Sequence, residues 1–253
     1  MKFNSVLFFL TFAVFAAVYF GVLRSAGDRT RKFVILAYSY FFYGLWSPAF
    51  VLLMVGTTSV DFAMARLIEE RPAHRRLWLT ISVCVGVGAL LWFKYLNFLL
   101  SGFNLAGRLL GHDPGWFVHD IVLPAGISFY TFESISYAVD VYRGKIRATR
   151  SLLDYSIFVA FFPKLVAGPI IRAGDLLPQL VRLPRPSAED VRWGFTAIVW
   201  GLALKCVLAD TVGHVVNRIF DGTPNGIAEN WAAGFLFGTQ IFCDFAGYST
   251  IAL

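Results

Sequence analysis

Long charge-free apolar runs alternate with short basic clusters along this chain, and that alternation limits its folds more than any other feature. Residues 3–23 carry no charge, and Arg24, Arg29, Arg31 and Lys32 follow them. About 20 apolar residues is the length a helix needs to cross the hydrocarbon core of a bilayer. A secretory signal would show a shorter apolar core, about 7–15 residues, behind a basic leading region. Only Lys2 precedes this run, so it reads as a retained first crossing. The bases behind it hold the next loop inside and place the N-terminus outside.

The same reading extends along the chain. Residues 33–60 are uncharged but interrupted at Ser47-Pro48. As one helix they would run about 42 Å against a core of about 30 Å. Two short helices are therefore expected, forming a hairpin that returns inside. Arg66, Arg71, Arg75 and Arg76, offset by Asp61, Glu69 and Glu70, read as the next inner loop. Residues 77–93 cross outward, with a continuation over 95–107 beyond Lys94. Residues 109–120 lack Lys and Arg and form an outer loop. Residues 121–139 return to the inner cluster Arg143, Lys145, Arg147 and Arg150. The run 152–171 is broken at Pro163-Lys164 and Gly168-Pro169 and has basic stretches on both sides. It is expected to be re-entrant, which irregular backbone tolerates only beside protein or a water-filled cavity. Residues 193–213 then go out and 231–253 come back. The expectation is an all-α polytopic membrane protein, with 1–253 a single transmembrane domain.

Composition supports this and excludes other classes. Charged residues make up 15% of the chain and hydrophobic ones 57%, with 26 Phe. Soluble domains carry about 25% charge, and disorder needs low hydrophobicity with high charge. The net charge of +6 comes from bases lying between apolar runs, a pattern of membrane topology and not of nucleic-acid binding. Cys84, Cys206 and Cys243 are odd in number, lie in apolar runs and show no CxxC spacing. Buried inert thiols are expected in place of a disulfide framework or zinc site. His74, His112, His119 and His214 are scattered, so no metal centre is expected. No GxSxG elbow or glycine-rich phosphate loop is present.

Charges inside apolar runs are the informative residues, because each costs about 2.5–3.5 kcal/mol at a helix centre and usually faces a cavity or partner. Here they are Glu133, Lys164, Lys205, Asp210 and Asp244. On a helix, Tyr130, Glu133, Tyr137 and Asp140 share one face, which reads as the lining of a passage or as an interfacial aromatic belt. Gln240, Asp244 and Tyr248, spaced by four, share another face. They line the passage or form an interhelical hydrogen-bond network, with Gly247 allowing close packing. Pro163, Gly168 and Pro169 would contribute a cavity wall. Lys205 and Asp210 are five apart, about 140° round an α-helix, so no simple i,i+4 pair is expected. Each should find a separate partner, or Asp210 should lie at the outer interface. Structural ion pairing is the expected role for both. Spacing alone fits a transporter as well as an enzyme.

Three stretches go further. The segment from Leu123 to Gly144, LPAGISFYTFESISYAVDVYRG, resembles a signature of the membrane-bound O-acyltransferase (MBOAT) family, in its alginate O-acetyltransferase (AlgI-like) branch. FFPKLVAGPIIR, from Phe161 to Arg172, looks like that branch's FPxLxAGPxxR segment. FCDFAGYS, from Phe242 to Ser249, looks like its DFSGYS element, with Thr250 where Asp often follows. AYSYFFY from Ala37 and GLALKCVLAD from Gly201 add weaker support.

The resemblance implies an MBOAT-like helical bundle with re-entrant and proline-broken helices. It implies transfer of an acyl group, usually acetyl, from a cytosolic donor to an extracytoplasmic polysaccharide or glycan hydroxyl. Acetyl-CoA is the implied donor, no cofactor is held, and an extracytoplasmic partner protein completes the transfer. The implied location is a bacterial inner membrane. The family's histidines lie in WHISLSxWLRDY-like and LWHG segments downstream of DFSGYS, and no histidine here matches them. The chain is thus expected to be the N-terminal half of a longer enzyme, incomplete at the C-terminus and inactive alone. Its catalytic histidine is expected beyond Leu253. A transporter or flippase-like protein and a non-catalytic scaffold are the alternatives.

Overall fold

The computed structural model of the chain describes residues 5–111, 121–165, 168, 171–222 and 226–252. Among these residues the regular elements are all helical. In order they are α1 (Val6–Ala16), α2 (Asp28–Gly44), α3 (Pro48–Glu70), α4 (Arg75–Leu90), α5 (Leu96–Leu109) and α6 (Ile127–Tyr142). They continue as α7 (Leu152–Ala160), α8 (Phe162–Leu165), α9 (Ala173–Val181), α10 (Ala188–Leu202), α11 (Asp210–Phe220) and α12 (Ile227–Ala252). Wide π-turns at Leu91–Tyr95 and Ala203–Ala209 join α4 to α5 and α10 to α11 without interrupting the helix.

Among the described residues, four continuous helical stretches are long and apolar enough to cross a membrane: Val6–Ser25, Pro48–Glu70, Pro72–Leu109 and Ala188–Phe220. Phe98, Phe103, Trp200 and Phe235 are all more than 60% exposed. Such outward apolar faces suit a solvent of acyl chains, where the backbone must satisfy itself internally. The chain is a multi-pass, all-α membrane protein.

Local signals in the sequence account for several helix ends. Pro48 opens α3 at its first turn, where its missing N–H is harmless. Arg71 leaves the helical region (φ −127°, ψ 74°) directly before Pro72, as a residue preceding proline does. Ser151 caps α7 by accepting from the Asp154 N–H. Ser187 and Asp190 form a reciprocal capping box at the start of α10.

Several expected boundaries are corrected. The hairpin over 33–60 breaks at Pro48 as expected, but α3 is not short. Its 23 residues take in Asp61, Arg66, Glu69 and Glu70, which were expected in a loop. The buried stripe Met54, Thr58, Asp61, Ala65 and Ile68 carries the helix onward. The continuation of 77–93 over 95–107 is as expected, within the one helical stretch Pro72–Leu109. The helix expected over 121–139 begins only at Ile127, after Pro124 and a left-handed Gly126 (φ 72°). At 16 residues it spans about 24 Å, less than a bilayer core. α7 has nine residues, about 14 Å. His214, expected beyond a helix end, lies exposed within α11, while His112 and His119 lie outside the described residues. Cys84 and Cys206 are exposed, not buried, on outward faces of their helices; Cys243 is buried and all three are free.

The chain forms two compact units. One comprises Gly27–Phe161 and Ile171–Arg182; the other comprises Met1–Ala26, Phe162–Ile170 and Leu183–Leu253.

Candidate functional site

The candidate residues divide between the units, and each unit holds a polar cluster of its own. In the second unit, α12 packs against the continuous helix formed by α10, the π-turn and α11. Glycines set that approach. A Cβ on Gly247 would stand 2.8 Å from the Gly201 carbonyl oxygen, and one on Gly201 would stand 2.6 Å from that of Gly247. A Cβ on Gly213 would meet the Gln240 amide at 2.7 Å. Only residues without a side chain fit at such crossings.

This close approach brings three charges together. The Lys205 ammonium lies 2.7 Å from Asp210 Oδ1 and 2.5 Å from Asp244 Oδ1. It also sits 5.5 Å from the centre of the Tyr248 ring, within cation–π range. The Lys205 side chain is 15% exposed and both carboxylates are 40% exposed. The expectation of separate partners for Lys205 and Asp210 is therefore overturned. The reason is local backbone geometry: Ala203–Ala209 is a π-turn, in which hydrogen bonds run i to i+5 and residues five apart stack. The 140° offset holds only for a regular α-helix. Gln240, Asp244 and Tyr248 share a face of α12, as their spacing indicated. Buried Gln240 Oε1 and Ser249 Oγ have no hydrogen-bond partner among the described residues.

In the other unit, Tyr130, Glu133 and Tyr137 lie on one buried face of α6, at 3%, 5% and 1% exposure. Glu133 Oε1 accepts the N–H of Ile171 at 3.3 Å, tying α6 to the stretch before α9. The Tyr137 hydroxyl accepts the Thr149 N–H at 2.9 Å, and its ring lies 4.8 Å from that of Tyr155. Tyr155 in turn donates to Ser134 at 3.3 Å. Asp140 is only half-buried and faces Lys145 at 3.8 Å.

Asp61 belongs to the same buried interior, at 4% exposure, and accepts from Ser82 at 2.6 Å. Sequence reasoning assigned it to a basic loop. The missed signal was its place in the 54, 58, 61, 65, 68 stripe, a 4-3-4-3 spacing that marks one helix face. The ion pair of Lys32 with Asp154, 2.8 Å and nearly buried on both sides, was also missed. Nothing in the sequence joins residues so far apart.

Pro163 and Lys164 lie in α8, the lysine buried and the proline half-buried. The Gly168 N–H donates to the Lys164 carbonyl at 3.1 Å, and a Cβ there would collide with Lys164 Cα at 2.3 Å. Pro169 lies outside the described residues. Among the described residues no three His, Cys, Asp or Glu side chains are grouped to hold a metal.

Chemically, each cluster is suited to positioning the groups around it. The Lys205 group carries one uncompensated negative charge where it is partly exposed. The α6 cluster is a set of hydroxyls and carboxylates that fixes the backbone around it.

Comparison with known proteins adds a second line. No family model matches the chain. It is 36% identical to the "probable alginate O-acetylase AlgI" of Pseudomonas syringae, over 95% of this chain and 46% of that protein. It is similar at 36% over the same shares to the protein of that name from Pseudomonas aeruginosa. It is 28% identical to the peptidoglycan O-acetyltransferase of Helicobacter pylori, over 100% of this chain and 53% of that protein. The chain spans about half the length of the curated relatives it matches.

Proposed function

Because the chain belongs to the AlgI-like branch of the membrane-bound O-acyltransferases, we propose that it forms part of an O-acetyltransferase of a bacterial inner membrane. The proposed reaction moves an acetyl group from a cytosolic thioester, acetyl-CoA, to a hydroxyl of an extracytoplasmic polysaccharide. A partner protein outside the membrane completes the delivery, and the N-terminus lies outside. The hydroxyl oxygen attacks the thioester carbonyl, the C–S bond breaks, and the hydroxyl's proton ends on the departing thiol by way of a general base. No residue described in this chain is assigned as that base. Residues of this chain supply walls and electrostatics.

One observation carries the reading: the likeness to alginate O-acetylases extends over 95% of the chain. The stretches that resemble that branch in sequence supply residues of both polar clusters. Glu133 and Tyr137 lie in the Leu123–Gly144 signature, and Asp244 and Tyr248 lie in FCDFAGYS. The Lys205 group suits an electrostatic role because it is partly exposed and not sealed in the core.

The test is acetylation of the exopolysaccharide in a strain that lacks its own O-acetylase and carries the full-length protein. Acetyl ester should reappear in the polymer. In the same assay Asp244→Ala should lower acetyl transfer several-fold while the protein still inserts, because Lys205 keeps Asp210 as partner. Wild-type levels of ester in that variant would remove Asp244 from the proposed machinery. Absence of ester with the intact, inserted protein would remove the acetyltransferase reading.

A further inference from the structure

A cavity of about 320 Å³ opens where α2 and α7 begin, lined by residues that belong to neither cluster described above. Its polar side is formed by Arg29, Lys32, Asp154 and Ser151, and its apolar side by Phe33 and the first residues of α7. Lys32 is buried and already neutralises Asp154 at 2.8 Å. It also donates to the Val181 carbonyl at 3.3 Å. An ammonium has three donors, so one remains. Arg29 is exposed and has no ion pair or hydrogen bond among the described residues. With Asp154 offset by Lys32, the guanidinium leaves the cavity with net positive charge.

Two further features favour an anion. Ser151 caps α7 by accepting from Asp154 N. The N–H groups of Leu152 and Leu153, which border the cavity, precede the first intrahelical bond and have no helical acceptor. Helix N-termini of this kind receive phosphate and carboxylate groups. The apolar side matters equally: Phe33 is 52% exposed and Leu152 is 45% exposed. Arg24 precedes the cavity along the chain, Arg31 lies between its lining residues, and Arg143, Lys145, Arg147 and Arg150 lead into α7. Such basic stretches mark the membrane–water boundary. Basic pockets between helices at that level hold the headgroups of anionic lipids.

We propose that this cavity is a phosphate-ester site, with Arg29 and the first amides of α7 holding the phosphate oxygens. Phe33 and Leu152 provide an apolar exit suited to acyl chains, which makes an anionic phospholipid the preferred bearer of the phosphate. The proposal does not depend on the acetyltransferase reading.

The experiment uses the full-length protein in nanodiscs of phosphatidylcholine with one tenth phosphatidylglycerol, and native mass spectrometry counts retained lipid. The intact protein should keep phosphatidylglycerol in preference to phosphatidylcholine. Arg29→Gln should reduce that retention about tenfold, whereas Arg24→Gln, outside the cavity, should leave it unchanged. Inorganic phosphate and pyrophosphate form the soluble arm, read by thermal shift in neutral detergent. A shift with pyrophosphate that Arg29→Gln abolishes, without lipid preference, would overturn the lipid assignment and leave a soluble phosphate ester as occupant. Equal retention in Arg29→Gln and the intact protein, with no thermal shift from either anion, would overturn the site altogether. Arg29 is exposed, so its variant should fold, and an unchanged melting temperature without ligand checks this.

Discussion

Lys205 holds two carboxylates at once, and the arithmetic of that arrangement sets what each substitution does. With the lysine in place the group carries one negative charge; without it two carboxylates face each other with nothing between them. Removing one partner of a buried ion pair costs about 3–5 kcal/mol, and the 40% exposure of both acids moves the expected loss below that range. Lys205→Met in the full-length protein should therefore lower the melting temperature in detergent. The triple change Lys205→Met, Asp210→Asn and Asp244→Asn should recover most of the loss, since no net charge is left to desolvate. Failure of the triple variant to recover would mean that the lysine acts through packing and not charge. Asp61 shows a different solution to the same problem: one acid, shielded almost fully, satisfied by a hydroxyl on a neighbouring helix.

At the scale of elements, the π-turn and the glycine crossings decide what the helices can bring together. The turn at Ala203–Ala209 contains one residue more than regular winding would use, and that extra residue aligns Lys205 with Asp210. Deleting Cys206, an exposed residue of the turn, should restore α-helical winding and rotate the two apart. Cysteines introduced in place of Lys205 and Asp210 on a background lacking the native thiols report this directly. Their cross-linking by a short bifunctional reagent should fall in the deletion variant; undiminished cross-linking would show that the turn does not set the pairing. Gly247→Val should drive a side chain against the Gly201 backbone. Overpacking of this kind costs about 1–3 kcal/mol. The loss should appear as a lower melting temperature, with Gly238→Val, at a position with open space around it, as the neutral control.

At the scale of the whole molecule, the outward surface is apolar over most of the membrane-length helices, while the acids and lysines of their interiors are gathered into local clusters. This distribution follows from solvent. A bilayer rewards neither burial nor exposure of Phe or Leu, so packing is left to small residues and to polar contacts. Conventional hydrophobic-core reasoning would misplace Phe98 or Trp200. The measurement suited to this scale is the acetylation assay on the full-length protein, since half the length of its relatives lies outside this chain.

Helix class and the break at Pro48 were legible in the sequence, because each depends on near neighbours or on a run of side chains long enough to meet a bilayer. The shared faces of Tyr130, Glu133 and Tyr137, and of Gln240, Asp244 and Tyr248, were legible for the same reason: helical periodicity is local. Partners were not. The approach of Lys205 to Asp244 depends on two glycines 46 positions apart meeting backbone to backbone. Its approach to Asp210 depends on one turn winding wide, and the pairing of Lys32 with Asp154 depends on two helices beginning side by side. A linear string specifies which groups cannot face lipid. Which neighbour relieves each of them is decided only when the helices pack, since charge compensation acts across space and not along the chain.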